Sequence, residues 1–230
     1  MKWRPLKMKI VEPGHIIETP IDGDAILAHI EKAGRTCYKT DPDDAAVFVR
    51  KIIKNGHESV IEHFSITVRI ICDRGVSHEI VRHRLSSFSQ ESTRYCNYGK
   101  MGEVAFILPS WIKNGIGEYT PIWDGCLGRQ EIDPFEHGSP ESWWFWHCAV
   151  AERDYLKLLE LGWSPQQARS VLPNSLKTEI FWTANLREWR LIFKQRTAKA
   201  AHPQMRQIMI PLLREMQEKI PVVFDDIETL

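Results

Sequence analysis

The spacing of apolar residues limits the fold more than any other feature of the chain, because it switches repeatedly between the period of a strand and that of a helix. Residues 64–71 (FSITVRII) are β-branched and read as a strand, and residues 73–83 return to helical spacing at Val76, Ile80 and Val81. A second strand-like run, KTEIFWTA at 177–184, is followed by helical patterns over Leu186–Arg196 and Pro203–Lys219. Ile26, Leu27 and Ile30 mark an opening helix over 24–31, and Val47, Val49, Ile52 and Ile53 mark another over 43–54. Residues 140–161 read as a long aromatic helix with Ser139 as N-cap and Gly162 as stop, and Ser164-Pro165 repeats the start signal. Mixed elements of this kind predict an α+β fold. Residues 113–137, rich in Gly, Pro and Asp, read as a surface excursion, and neither a repeat nor a shift in composition divides residues 1–230 into more than a single domain.

Hydrophobic residues make up 43% of the chain and nine are Trp, enough apolar surface to offset the entropy of ordering it. Thirty basic residues balance thirty acidic ones, so the whole molecule exerts no long-range pull on nucleic acid or an anionic membrane. Any anion site is therefore local. Cys37, Cys72, Cys96, Cys126 and Cys148 are odd in number and form no Cys-x-x-Cys pair, which fits a reducing compartment. The start of the sequence lacks the apolar run of a secretory signal and no stretch reaches ~18 apolar residues, so a soluble cytoplasmic protein is expected.

Cations and hydroxyls concentrate in one place. The thirteen residues 82–94 hold three Arg, one His and four Ser, a set of charge-assisted donors suited to a phosphate, since a planar guanidinium binds two oxygens at once. The plain alternative is a solvated basic turn, which the interleaved apolar and hydroxyl residues weaken. Two further clusters stand out: His57-Glu58-Ser59-Val60-Ile61-Glu62-His63 before the first strand, and Asn185-Leu186-Arg187 with Arg196, Lys199 and His202 after the second. Taken singly, a His or Arg near a helix end more often caps or pairs than reacts.

Together these segments resemble the flavin-dependent thymidylate synthases. The signature of that family is Arg-His-Arg, seven residues and a Ser, and Arg82-His83-Arg84 with Ser92 fits it without a gap. His57-Glu58-Ser59 with Glu62-His63 is similar to the upstream motif, Arg94-Tyr95 to the end of the signature, and Arg169-Ser170-Val171-Leu172-Pro173 to the nucleotide-binding segment. Phe181-Trp182-Thr183-Ala184-Asn185-Leu186-Arg187 and Arg196 complete a likeness running from about Arg35 onward. Two positions depart from it: Glu79 stands where Gln is frequent, and the stretch Glu188-Trp189-Arg190-Leu191 lacks the Asn or His expected after Asn-x-Arg.

The resemblance implies a single α+β domain with a central, mostly antiparallel β-sheet flanked by helices, assembled as a homotetramer whose active sites draw on several chains. It implies FAD as cofactor, with NADPH and methylenetetrahydrofolate as co-substrates and dUMP as the nucleotide methylated. FAD contacts carry over to Ser59, Arg82, His83, Arg84, Gln90, Asn185 and Arg187, with His57, Glu62 and His202 close by. Glu79, Arg82, Gln90, Glu91, Ser92, Thr93, Arg94, Arg169 and Arg196 would hold dUMP. No Gly-x-Gly-x-x-Gly turn is present, so side-chain cations would take the flavin pyrophosphate.

Uracil is a weak carbon nucleophile at C5, and a fixed Arg196 guanidinium would stabilise charge near N3 and O4. His57 and His83 are candidates for organising folate or flavin. Ser92 is a candidate nucleophile as well as a phosphate ligand, and the second role is preferred because no adjacent base is evident.

Two other functions compete with this resemblance. His78-Glu79-Ile80-Val81-Arg82-His83 exceeds the zinc motif His-Glu-x-x-His by one residue, and on a helix residues five apart lie ~140° apart where four apart lie ~40°. No metal is expected. A nucleic-acid module would use Arg82, Arg84 and Arg94 with Phe88 and Tyr95, and zero net charge counts against it.

Overall fold

Strands and helices interleave as the spacing implies in the computed structural model of the chain, which describes residues 8–39, 44–119, 135–136 and 138–229. Strands β1 (Met8–Val11) and β2 (Gly14–Ile17) precede helices α1 (Gly23–Tyr38) and α2 (Ala45–Lys54). A 3-10 segment (Glu58–His63) leads to strand β3 (Ser65–Asp73), helix α3 (Arg74–Ile80) and strand β4 (Ser86–Gln90). Helix α4 (Tyr98–Met101), strands β5 (Val104–Ile107) and β6 (Gly117–Tyr119) and the long helix α5 (Pro140–Glu160) follow. Helix α6 (Pro165–Ala168) and a 3-10 turn (Arg169–Val171) precede β7 (Lys177–Asn185), α7 (Leu186–Arg196), α8 (Pro203–Lys219) and α9 (Pro221–Phe224). The α+β class is borne out, with strands in two sheets of order β5-β1-β6 and β2-β3-β7-β4. Among the described residues no helix is long and apolar enough to cross a membrane. Cys126, residues 1–7 and most of the excursion read over 113–137, namely 120–134 and 137, lie outside the described residues.

One boundary differs in a way that matters for the site. The helix read over 73–83 stops at Ile80, where Arg82 N–H and His83 N–H donate to the carbonyls of Glu79 and Ile80 at 3.2 and 3.1 Å. Such three-residue bonds tighten and close a last turn. Arg82-His83-Arg84 therefore leaves the helix, and the residues after it pair as β4. His78 and His83 do not share a helix face; the first is exposed and the second buried.

The chain divides into two compact units. The first comprises Met1–Pro13, Ile71–His78 and Gln90–Glu179. Its sheet pairs β1 with β5 in parallel, Met8 opposite Val104, and with β6 antiparallel, Met8 opposite Tyr119. Met8, Ile10, Val104 and Phe106 are buried together with Phe145, Cys148, Ala149 and Tyr155 of α5. The last four recur at helical spacing, and each large apolar side chain so buried contributes about 1.5–3 kcal/mol. The ends of α5 obey their sequence signals: Ser139 Oγ accepts from Ser142 N–H at 3.1 Å, and Gly162, at φ 95°, closes the C-terminus in a conformation that strains L side chains.

Glu152 lies on the buried side of α5 with 1% exposure, and its Oε2 has no hydrogen-bond partner. Burial pushes its carboxyl up to about 8, partly countered by the Val104 N–H. The folded state then holds a proton that the unfolded chain releases near the ordinary 4.5, so stability is greatest below about 4.5 and falls as pH rises toward 8. The Glu152→Gln variant, with nothing to ionise, is expected to lose this slope. Urea unfolding of both proteins from pH 5 to 8.5 checks it: a constant stability difference across that range would contradict the burial argument.

The second unit comprises Gly14–Ile70, Glu79–Ser89 and Ile180–Leu230. Ile66, Val68 and Ile70 of β3 and Ile180, Trp182 and Ala184 of β7 alternate inward, as the period of a strand requires. Trp182, Trp189, Phe193 and Phe224 form an aromatic column with successive ring centroids 4.9, 5.6 and 5.5 Å apart. Trp189 Nε1–H donates to the Ile66 carbonyl at 3.0 Å, so its one polar atom is satisfied in the core. The column fixes α7, whose first turn is capped by Asn185 Oδ1 on Glu188 N–H at 2.9 Å.

Candidate functional site

The first unit carries a polar set on the segment after β4. Gln90 Nε2–H donates to Ser77 Oγ at 2.8 Å and to Thr178 Oγ1 at 3.2 Å, while Ser77 Oγ–H donates to the Arg74 carbonyl. Glu91 is held at both ends: Tyr98 Oη–H donates to Oε1 at 2.6 Å, and Lys177 Nζ lies 3.7 Å from Oε2. Arg74 also donates to the Glu91 carbonyl, so the backbone at 90–91 is anchored before the chain turns. The turn itself is a single helical loop in which the N–H groups of Tyr95 and Cys96 donate to the Ser92 carbonyl. Arg169 Nη1–H donates to Thr93 Oγ1 at 3.0 Å. Ser92 Oγ accepts from Arg94 N–H at 3.3 Å, and the Arg94 guanidinium lies over the Tyr95 ring, 5.4 Å from its centroid.

The second unit carries a set built on Arg196 at the end of α7. Arg196 Nε–H donates to His83 Nε2 at 2.9 Å, Nη1–H to Glu79 Oε2 at 2.9 Å and Nη2–H to the Glu79 carbonyl at 3.3 Å. A guanidinium has no acceptor atom, so His83 Nε2 offers its lone pair and the proton of the neutral ring sits on Nδ1. Burial, and then the Arg196 charge, push the His83 imidazole down to about 4, which keeps it neutral at pH 7. Its Nδ1 faces Glu188 Oε1 at 3.5 Å, with both side chains 5% exposed, and burial raises the Glu188 carboxyl above its ordinary range.

A third set, also in the second unit, gathers around the 3-10 segment. Glu62 accepts from Arg187 Nη1–H at 2.6 Å, and Arg190, buried to 2% exposure, reaches Glu58 at 3.3 Å and grips both oxygens of Asp226 at 2.6 and 2.7 Å. His57 and Ser59 are exposed on this segment and its start, and His202 is exposed at the start of α8. Arg82 and Arg84 are exposed and have no ion-pair partner among the described residues.

The residues expected around a nucleotide thus fall into defined local groups. Thr93 with Arg169, Glu79 with His83 and Arg196, and Glu62 with Arg187 are brought into contact, whereas the Arg94 guanidinium lies over the Tyr95 ring. Asn185 is engaged as a helix cap. Leu191, where the family pattern has a polar residue, is 44% exposed. Periodicity and motif spacing missed Glu188, Tyr98, Arg74 and the buried Arg190. The one signal for Glu188 was Asn185-x-x-Glu188, the spacing of a capping box.

A family profile described as thymidylate synthase complementing protein matches residues 23–222, a span that begins before the likeness read from the motifs. A flavin-dependent thymidylate synthase of Corynebacterium glutamicum is 32% identical over 231 residues, covering 92% of this chain and 84% of the relative. One from Mycobacterium avium (strain 104) is 31% identical over 247 residues, covering 97% of this chain and 90% of the relative. Among solved structures, the UMP/dUMP methylase PolB of Streptomyces cacaoi bound with 5-Br UMP has the same fold, with a TM-score of 0.69 over 95% of each chain at 21% identity.

Proposed function

Because the chain belongs to the family of flavin-dependent thymidylate synthases, we propose that it methylates dUMP to dTMP, with methylenetetrahydrofolate as carbon donor and NADPH as the source of reducing equivalents through bound FAD. A flavin, when bound, supplies the hydride that completes the methyl group. The residues present fit such a cofactor: Arg82 and Arg84 offer exposed guanidiniums uncommitted to any carboxylate among the described residues, suited to a pyrophosphate. Ser59, Glu62, His83, Gln90, Asn185, Arg187 and His202 are the further contacts proposed for it, and His57 is proposed to organise folate or flavin.

The nucleotide phosphate is proposed to lie on Ser92, Thr93, Arg94 and Arg169, with Gln90 and Glu91 framing the segment. The observation that carries this reading is the Arg169–Thr93 hydrogen bond, which joins two motif segments 76 residues apart at 3.0 Å. Glu79, Arg82 and Arg196 serve the uracil ring, where the fixed Arg196 guanidinium stabilises charge developing near N3 and O4. A homotetramer with shared active sites would supply the phosphate set and the ring set without requiring both from one chain. The uracil nucleotide named for the Streptomyces protein lends support to this substrate class. We take residues 1–230 as one domain, since the family match runs through both units. A cytoplasmic setting fits the free thiols Cys37, Cys72, Cys96 and Cys148.

Formation of dTMP in a reaction lacking one of dUMP, methylenetetrahydrofolate, NADPH or FAD in turn tests the proposal, with UMP replacing dUMP as a further control. Product is expected only when dUMP, methylenetetrahydrofolate and NADPH are all present, with added FAD raising the rate only as far as the purified protein lacks it; methylation of UMP in place of dUMP, or product without NADPH, would overturn it. Ser92 is read as one phosphate ligand among several, because its Oγ accepts from a backbone N–H and no histidine bonds to it among the described residues. The Ser92→Ala variant is accordingly expected to raise KM for dUMP about tenfold, the effect of losing one hydrogen bond to a charged group, and to keep most of kcat. Loss of kcat at unchanged KM would restore the nucleophile role.

A further inference from the structure

We infer that Glu188 and His83 act as a positioning pair for Arg196, Glu188 selecting the Nδ1–H tautomer of His83 so that Nε2 stays an acceptor that aims the Arg196 guanidinium. This inference rests on the reading that Arg196 serves the uracil ring. It stands on a chain of three contacts in one unit. Glu188 Oε1 lies 3.5 Å from His83 Nδ1, His83 Nε2 lies 2.9 Å from Arg196 Nε, and the outer nitrogens of Arg196 meet Glu79.

Each link has a physical reason. Imidazole offers either nitrogen as acceptor, and only the Nδ1–H form leaves Nε2 free for a donor-only partner. A carboxylate facing Nδ1 favours that form. The separation of 3.5 Å is long for a hydrogen bond, so the effect is mainly electrostatic, and at 5% exposure for both side chains water screens it little. His83 is neutral at pH 7, which makes this a dipole facing a carboxylate and not a charged bridge.

Rigidity comes from the surroundings. The His83 ring lies against Trp182, centroids 5.5 Å apart, and Trp182 is wholly buried. Glu188 is fixed by its backbone, since its N–H is the one that Asn185 caps. Asn185-x-x-Glu188 is spaced as a capping box, yet the Glu188 carboxylate faces His83. Three of the five guanidinium N–H groups of Arg196 are engaged by these partners, which fixes the plane in which the other two lie.

The test separates positioning from folding. Removing Glu188 leaves the buried Nδ1–H of His83 without the acceptor it faces, so Glu188→Leu is expected to unfold at a somewhat lower urea concentration than the wild type while staying folded under assay conditions. Its kcat is nevertheless expected to fall about 10- to 100-fold, the effect of a misplaced catalytic group, with KM for dUMP nearly unchanged. Glu188→Gln, whose amide oxygen keeps a dipole facing Nδ1–H without the charge, should recover part of that loss. Nitrogen NMR of the intact protein labelled in histidine should show His83 as the Nδ1–H tautomer in the wild type and in Glu188→Gln, and as a mixture in Glu188→Leu. A wild-type kcat and an unchanged tautomer in Glu188→Leu, alongside an inactive Arg196→Ala, would overturn the positioning role alone; full activity in Arg196→Ala would overturn the reading it rests on.

Discussion

The Arg196→Ala variant is expected to lose at least about 10²-fold in methylation rate, the cost of removing one preorganised donor from a developing anion, while dUMP still binds. The split follows from where the charges sit. Arg196 is tied at 2.9 Å to His83 and to Glu79, and Arg169 stands on Thr93 in the other polar set, so truncating the first removes nothing from the second. Truncation also leaves Glu79 without its cation, which on the proposed reading adds a repulsive carboxylate beside the uracil ring. Lysine at position 196 should recover little, because an ammonium cannot serve His83 and both acceptors of Glu79 from one plane. Steady-state kinetics with dUMP titration measure both quantities. A rate loss matched by an equal loss of dUMP affinity would assign Arg196 to ground-state binding.

The second large effect is on stability. Trp189→Ala is expected to cost about 3–5 kcal/mol, the range for removing a buried Trp or Phe side chain from a core. Trp189 has no exposed surface, stacks between Trp182 and Phe193, and satisfies the Ile66 carbonyl through its indole N–H. Truncation opens a cavity at the centre of the column and takes away that bond. Because Trp182 also backs His83, the damage should spread from stability to rate. Trp189→Phe, which keeps a ring but not the N–H, should cost roughly half as much. Denaturation midpoints of the two variants decide this, and equal midpoints would show that the column is not what holds α7.

Much of this architecture was legible in the residues, and what was not has a physical reason. Helices α7 and α8 end where periodicity puts them, and Ser139 and Gly162 bound α5, because caps and apolar stripes are local signals. Strand β4 was not legible: Ser86-Ser87-Phe88-Ser89-Gln90 holds a single large apolar residue, too little for a two-residue period to show. Helix α3 ended early for a related reason, since Val81 fits the helical pattern while the backbone bonds at Arg82 and His83 already close the turn. The motif residues were found by resemblance, but their partners were not. His83 and Arg196 stand 113 positions apart, and no spacing rule connects them. Arg190 falls on the apolar face of α7, four residues after Leu186 and three before Phe193, and Glu188 falls off that face, but the charge of each argues for solvent; both are buried because Asp226 and His83 meet them from distant parts of the chain.

The central claim is that this chain carries a flavin whose reduction serves a uracil nucleotide. The most direct measurement is the visible absorbance of the purified protein under anaerobic conditions as NADPH is added, with and without dUMP. Flavin bands are expected that bleach on NADPH addition and bleach faster when dUMP is present. A colourless protein that takes up no added FAD, or a flavin whose reduction NADPH and dUMP leave unchanged, would contradict it.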